Sequence, residues 1–359
     1  MFNQIYKNKR VLITGNTGFK GSWLTLWLLR LGAKVYGISN GIPSEPSLFE
    51  VLSLEKEIEY YEIDINNYTE VAEAIQSIKP EIVFHLAAQP VIAVGFEEPL
   101  TTFSTNIMGT IHILEALRVL NEPCAVICVT SFKCYKPIER GLAYTETDKL
   151  GGPDPYSASK AANELAIEAY FQSYFSKPDS KVKVISARGG NVIGGGDWAK
   201  TRIVPDAFRC WEKKSSLLLF APTATPPWQY VLDILNAYLI CGQSLLENKP
   251  DINGEAFNIG APENEAFTVQ ALLDSLFAQT EYKGFAPYQL PSVITDQNKF
   301  STSLNSDKAL NKLNWKSFSS FENTVKRTGT WYKNFYDGSV NMRAYTEQEI
   351  ADFEKLLKE

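Results

Sequence analysis

The chain is short of the groups from which several kinds of site are built. It has only two histidines among 359 residues. His85 and His112 each sit in an apolar run with no second histidine at ligand spacing, which argues against a His-based metal site, and no metal is expected. The five cysteines (Cys124, Cys128, Cys134, Cys210, Cys241) include no C-x-x-C pair and form an odd set in a long chain. That fits a reducing cytoplasm rather than a disulfide framework. No apolar run approaches the roughly 18 residues of a membrane span. The N-terminal stretch MFNQIYKNKR leads straight into an apolar strand, without the apolar core and cleavage site of a signal peptide, so a cytoplasmic protein is expected. No block of Lys or Arg stands out and the net charge is −6, which argues against nucleic acid or an anionic membrane as partner.

What remains is ordinary globular composition, 45% hydrophobic and 21% charged, enough for a sizeable core. In the first half, short Val/Ile-rich runs alternate with helical patterns. RVLITG (10–15), AKVYGIS (33–39), EIEYYEID (57–64), IVFHLAA (82–88), CAVICVTS (124–131) and KVKVISARGG (181–190) are suited to burial on both faces. Helices are predicted over Ser22–Leu31, Thr69–Ile78, Thr101–Leu120 and Ser157–Tyr170 between them, the pattern of βα units on a parallel sheet. Beyond residue 190 the pattern loosens, with helices expected at 229–246, 268–278, 306–313 and 318–338. The last segment, 346–359, reads as a polar surface helix.

Residues 11–21, VLITGNTGFKG, set Gly15, Gly18 and Gly21 between the first strand and the first helix. Glycines there let the backbone turn tightly and approach a pyrophosphate, which rests on the free N–H groups of the helix N-terminus. The spacing is G-x-x-G-x-x-G, so its place in the first strand–turn–helix unit carries the reading. Thr17 and Phe19 in the loop, Asp64 and Ile65 after the third strand, and Leu86, Ala87 and Ala88 after the fourth complete the expected dinucleotide contacts. Asp64 reads equally well as a turn aspartate. Ser39 and Asn40 stand where an acidic residue often meets the ribose 2′-hydroxyl; NAD is favoured and NADP stays open.

At 156–160 the chain reads YSASK. Tyr156 and Lys160 share one helix face, so the ammonium can lower the phenol pKa and reach the cofactor ribose. With Ser131 at the end of the fifth strand, this is a set for oxidising an alcohol by hydride transfer.

These motifs, with PSLFE, PEIVFHLAAQP, STNIMGT, KCY, GGPDPYSASK, GNVIGGGDWA, RIVPD and PWQYVL over residues 11–232, give a resemblance. The chain resembles the extended short-chain dehydrogenases/reductases of the nucleotide-sugar type, most closely the CDP-glucose 4,6-dehydratases of surface-polysaccharide sugar synthesis. The resemblance implies a doubly wound Rossmann parallel sheet (1–187, with part of 228–262 returning to it), a smaller C-terminal α/β substrate lobe (188–345), a C-terminal helix (346–359) and a homodimer built on the helices at 101–120 and 156–170. It implies tightly bound NAD, C4 oxidation with Tyr156, Ser131 and Lys160, loss of water across C5–C6, and return of hydride to C6. Substrate contacts are expected from Gln89, Asn106, Asn191, Arg202 and Lys299.

The chain also departs from that pattern. Such dehydratases carry Asp then Glu or Lys after the Ser/Thr; here Phe132 and Lys133 follow Ser131. A general acid contributes about 10² to 10⁴ in rate, or about 3–5 kcal/mol of barrier. Either Lys133, Glu146 or Asp148 supplies the proton, or the chain is a 4-epimerase or reductase that never eliminates water, or it binds NAD and nucleotide without turnover. Pro226 and Ala93 replace two basic residues of the pattern, which weakens the link to a CDP-sugar in particular. Cys134 reads as a packed thiol and His85 as a hydrogen-bonded core residue.

Overall fold

The structure, a computed structural model, describes residues 2–138, 142–261, 267–292 and 302–358. Six strands of the first half, β1 (Arg10–Thr14), β2 (Lys34–Ser39), β3 (Glu59–Glu62), β4 (Ile82–His85), β5 (Cys124–Ser131) and β6 (Val182–Gly189), form a parallel sheet. Three short strands follow, β7 (Asn191–Ile193), β8 (Leu217–Leu218) and β9 (Trp228–Tyr230), before β10 (Ala256–Ile259) returns to the same sheet. Its order is β10-β6-β5-β4-β1-β2-β3. The order reverses between β1 and β4, so a crevice opens at the carboxyl ends of those two strands.

Side chains alternate across this sheet into two cores. Val11, Ile13, Phe84 and Ile127 face one layer. That layer is covered by α1 (Phe19–Arg30) and, later in the chain, by the helix at Val231–Leu246. Leu12, Val83 and Val126 face the other, against the helices at Tyr68–Ile78 and Gly109–Val119. Burial on both faces is why the strands read as continuous apolar runs. The remaining helices of this half are α2 (Leu48–Val51), α3 (Tyr68–Ile78), α4 (Ile92–Glu97), α5 (Pro99–Phe103), α6 (Gly109–Val119) and α7 (Pro155–Tyr170). Between α5 and α6 the helix continues through one wide π turn, Ser104–Met108.

The second lobe holds α8 (Ile203–Glu212), α9 (Val231–Leu246), α10 (Val269–Phe277), β11 (Tyr288–Gln289), α11 (Asp307–Leu313) and α12 (Phe321–Asp337). It adds two small parallel pairs, β7 with β9 and β8 with β11. Its core is aromatic: Phe208 stacks on Tyr332 at 4.2 Å, and Trp198 meets Trp331 edge-on at 5.5 Å.

The final helix, α13 (Met342–Leu356), is more than a surface element. Phe353 is fully buried and meets Trp27 of α1 edge-on at 5.8 Å, while the Trp27 indole donates to Glu354 at 2.9 Å. Glu349 accepts from Tyr230 at 3.0 Å and from Arg327 at 3.1 Å. The helix therefore ties the sheet layer to the second lobe, a role its polar composition concealed. Among the described residues no helix is long and apolar enough to cross a membrane.

Candidate active site

The glycine loop closes over the end of β1. Gly15 has φ +74°, and a Cβ there would lie 2.8 Å from the backbone nitrogen of Ala87. A Cβ on Gly21 would lie 2.1 Å from the Gly15 carbonyl oxygen. Neither position tolerates a side chain, so the loop lies close against the turn after β4 and against the first turn of α1. Gly18 caps α1 with no side-chain bond, leaving the first N–H groups open to an anion. Asn16 and β2 hold the loop in place: the Ser39 hydroxyl donates to Asn16 Oδ1 at 2.9 Å, and Thr17 Oγ1 donates to the Gly41 carbonyl at 2.7 Å.

This loop forms one wall of a cleft of about 340 Å³. Gly15, Thr17, Gly18, Phe19, Gly21, Asp64, Ile65, Leu86, Ala87 and Ala88 all line it, as do Gln89 and Arg202. Asp64 also closes a turn, accepting from the Asn66 N–H at 2.9 Å, so it serves as turn residue and cleft wall together. At the end of β2 the lining residues Ser39, Asn40, Gly41, Pro43 and Ser44 are uncharged. The open helix end, the close backbone approach and the two glycine cradles fit a dinucleotide.

Helix α7 starts at a defined place because Asp154 Oδ1 accepts from the Ser157 N–H at 2.9 Å and Pro155 occupies the first helical position. That start fixes Tyr156 and Lys160 one turn apart on the inner face, both buried. The Lys160 ammonium lies 6.0 Å from the Tyr156 ring centre, and the Ser131 hydroxyl acts on the phenol from the end of β5. Burial pushes the phenol pKa above its ordinary value, while Ser131 and the Arg202 charge pull it down. Burial also lowers Lys160 to about 8, against the raising influence of Glu164. Ser131 ends β5 beside Gly189 of β6, and its hydroxyl also accepts from the Lys133 N–H at 3.3 Å.

Phe132 packs with Cys134, Tyr135, Tyr144, Ala161 and Leu304 in a separate apolar cluster. Lys133 Nζ stands 5.1 Å from the Phe132 ring centre. Burial lowers the Lys133 pKa, opposed by the charge of Asp154. The other two candidate acids are engaged elsewhere: Glu146 Oε1 accepts from the Asn258 N–H at 2.8 Å, and Asp148 Oδ2 accepts from the Thr145 N–H at 2.7 Å. Cys134 is fully buried, and burial pushes its thiol pKa up. His85 bonds Thr14 Oγ1 at 2.7 Å and Thr110 Oγ1 at 3.0 Å, and burial lowers its pKa to about 3, leaving it neutral.

The expected substrate contacts divide. Asn106 is fully buried within the π turn; its amide accepts from the Gln89 N–H at 2.8 Å and donates to Ser159 Oγ at 2.8 Å. The Gln89 amide in turn donates to Thr102 Oγ1 at 2.8 Å and accepts from the Val91 N–H at 2.6 Å. These polar atoms shape the turn after β4 and are taken up within the fold. Asn191 opens β7 with its N–H on the Pro227 carbonyl at 3.2 Å. Arg202 caps α8, lines the cleft and pairs with Asp197 at 3.2 Å. Lys299 lies outside the described residues.

Comparison with known proteins places this geometry. The family model described as GDP-mannose 4,6 dehydratase matches residues 12–328. The chain belongs to the GDP-mannose 4,6-dehydratase family. Within and around that family, it is 37% identical to the CDP-glucose 4,6-dehydratase of Salmonella typhimurium over 97% of both chains. A UDP-glucose 4-epimerase of Mycoplasma pneumoniae is 24% identical over 91% of this chain and 98% of its own. Among solved structures, the Thermotoga maritima UDP-glucose 4-epimerase superimposes with TM-score 0.74, 23% identity, and 90% and 99% coverage. A double mutant of the Streptomyces venezuelae dTDP-glucose 4,6-dehydratase does so with TM-score 0.73, 21% identity, and 90% and 96% coverage. The sheet order and the crevice are those of this shared fold.

Reading the sequence of this GDP-mannose 4,6-dehydratase relative missed Lys20. It lies in the cleft wall, 3.4 Å from the Tyr238 hydroxyl, and burial together with the Arg202 and Lys160 charges lowers its pKa to about 7. Its signal was a cation inside the glycine loop, G-F-K-G, at a position the glycine spacing leaves free. Asn16 and Ser39 were also missed as the bolts of the loop, because nothing local shows that two residues so far apart in sequence will bond.

Proposed function

We propose that this protein is an NAD-dependent nucleotide-sugar 4,6-dehydratase whose substrate is a CDP-linked glucose. The observation that carries the proposal is the grouping of Ser131, Tyr156 and Lys160 within charge reach of the cleft-lining Lys20 and Arg202, with the half-buried Lys133 two residues from Ser131. The loop from Gly15 to Gly21 and the N-terminus of α1 would hold the pyrophosphate, Asp64 and Ile65 the adenosine end, and Lys160 the nicotinamide ribose. When bound, the nicotinamide accepts a hydride and later returns it.

The side chains account for the protons. Tyr156 takes the O4 proton, with Ser131 bonded to the same oxygen and Lys160 favouring the phenolate. A C4 ketone acidifies C5–H. Neutral Lys133 takes the C5 proton; as ammonium it delivers that proton to O6, the C6–O6 bond breaks, and water leaves. One amine thus serves as base and then acid, and no second acid is needed. Burial lowers its pKa, which brings the neutral form needed for the first role closer to reach. After reduction at C6, C5 receives a proton from Lys133 recharged by solvent.

We extend the proposal to a cytoplasmic homodimer. Phe96 of α4 and Leu100 of α5, just before the first helix expected at the interface, and Leu165 of α7, on the second, expose large apolar side chains, Leu100 at 85% exposure. Pairing with a second copy would cover them. The uncharged end of β2 offers no cation to a 2′-phosphate, which favours NAD.

The deciding experiment is incubation with CDP-glucose and NAD⁺ in deuterated water, followed by mass spectrometry and NMR. Loss of water with deuterium at C5 is the expected result. A second reading rests on Phe132: a site without an acidic residue there could stop at C4 and return an epimer. Unchanged product mass with inverted C4 would establish that reading in place of dehydration.

A further inference from the structure

Behind Lys160 lies a buried ion pair that the proton account above does not use. Glu164, one turn further along α7, and Arg188 of β6 meet at 2.7 Å, with their side chains 3% and 6% exposed. Glu164 Oε1 also accepts from the hydroxyls of Thr130, the residue before Ser131, and Ser186. Arg188 continues the chain of contacts: one nitrogen donates to the Tyr135 hydroxyl at 2.8 Å and to the Glu146 carbonyl at 3.1 Å. The Tyr135 hydroxyl donates to Asn258 Oδ1 at 2.7 Å, and the Asn258 amide donates to the Tyr144 carbonyl at 2.8 Å. Tyr135 and Tyr144 stack at 4.7 Å, against the cluster that holds Phe132.

One carboxylate and one guanidinium therefore connect the ends of β5, β6 and β10, the helix carrying Tyr156 and Lys160, and the segment carrying Lys133. A buried pair of this kind adds little net stability compared with an apolar pair of the same size, so stability alone does not explain it. Resting on the function proposed above, we infer that Glu164 and Arg188 are positioning residues for the reaction: Glu164 sets the placement and charge surroundings of Lys160, and Arg188 moors the segment that presents Lys133. Neither touches the substrate.

The charge argument has a definite sign. The groups acting on Lys160 are Glu164, Cys134 and Cys128, with Tyr156 against it and Lys20 and His85 nearby. His85 is neutral and the thiols are protonated, which leaves Glu164 as the anion in this set. Replacing it by an amide removes the influence that favours the ammonium, so Lys160 loses its proton at lower pH.

The test compares the full-length protein with Glu164→Gln and with the double variant Glu164→Gln/Arg188→Met, which leaves no buried charge unpaired. Two readouts are used: the pH profile of turnover on the nucleotide sugar, and the Lys160 titration followed by NMR in lysine-labelled protein without substrate. In both variants the Lys160 titration and the alkaline limb of kcat are expected to move down by about half a pH unit or more, with kcat reduced about tenfold and KM within about twofold of the parent. Arg188→Lys, which keeps the charge but not the fork, should leave the Lys160 titration in place and lower kcat through Lys133. A double variant with native pH profile, kcat and Lys160 titration would leave the pair a purely structural feature and overturn the inference. If the parent protein turns over no nucleotide sugar, the functional reading fails on its own, and the titration still decides what Glu164 does to Lys160.

Discussion

Replacing Lys133 by methionine separates the two halves of the proposed reaction. Methionine keeps the unbranched stem and removes the ammonium. Lys133 is already disfavoured as a cation by burial, so the folded state should be unharmed and the melting temperature should stay near that of the parent. The effect on chemistry is large: a general acid–base group contributes about 10² to 10⁴ in rate, equivalent to about 3–5 kcal/mol of barrier, and here one amine does both jobs. In the proposed scheme oxidation at C4 depends on Tyr156, Ser131 and Lys160, none of which is changed. A single-turnover experiment should therefore show the absorbance of reduced nicotinamide rising and persisting, while water loss slows by at least about 100-fold. Deuterium incorporation at C5 should fall in parallel. Water loss at the parent's rate in this variant would refute the shuttle and return the search to a group outside the segment after β5.

Three further outcomes follow from the geometry. Tyr156→Phe should fold normally, since only the phenol hydroxyl is removed, and should lose about 10² to 10⁴ of the C4 oxidation rate; full-rate reduction of nicotinamide in that variant would dismiss Tyr156 as the base. Leu100→Asp combined with Leu165→Asp should yield a monomer in light scattering with unchanged secondary structure, because both side chains are exposed within a chain and would be covered by the partner in the proposed dimer. His85 has a folded pKa of about 3 against 6.5 ordinarily, so the unfolded chain binds its proton first as pH falls. Stability should then drop between about pH 6.5 and 3, by up to about 5 kcal/mol from this group, and His85→Gln should flatten the fall in melting temperature over that range.

The parts legible in the sequence were those set by local pattern. The β1 strand, the glycine turn and α1 could be placed because a two-sided buried strand, close backbone approach and a helix N-terminus each leave a mark within a dozen residues. The four-residue spacing of Tyr156 and Lys160 is likewise a helix property. What depended on distant pairing was not legible. The Asn16–Ser39 bond, the mooring of α13 on Trp27, and the withdrawal of Asn106 and Gln89 into one another's hydrogen bonds all join segments with nothing in common in sequence. Phe132 belongs to both kinds. Seen as a residue in a motif, it is a vacancy where an acid belongs. Seen in the fold, it fills a packed cluster with Tyr135, Tyr144 and Leu304 and sets its ring 5.1 Å from the Lys133 ammonium. The ring lies within cation–π reach of the ammonium and favours it weakly, whereas an aspartate in that place would pair with the ammonium and hold it charged far more strongly. A lysine that must first accept a proton and then give it back needs the former neighbour. Under the proposed mechanism the missing acid and the lysine beside it are one feature, and Phe132 marks a site where a single amine, rather than a carboxylic acid, would carry the proton from C5 to O6.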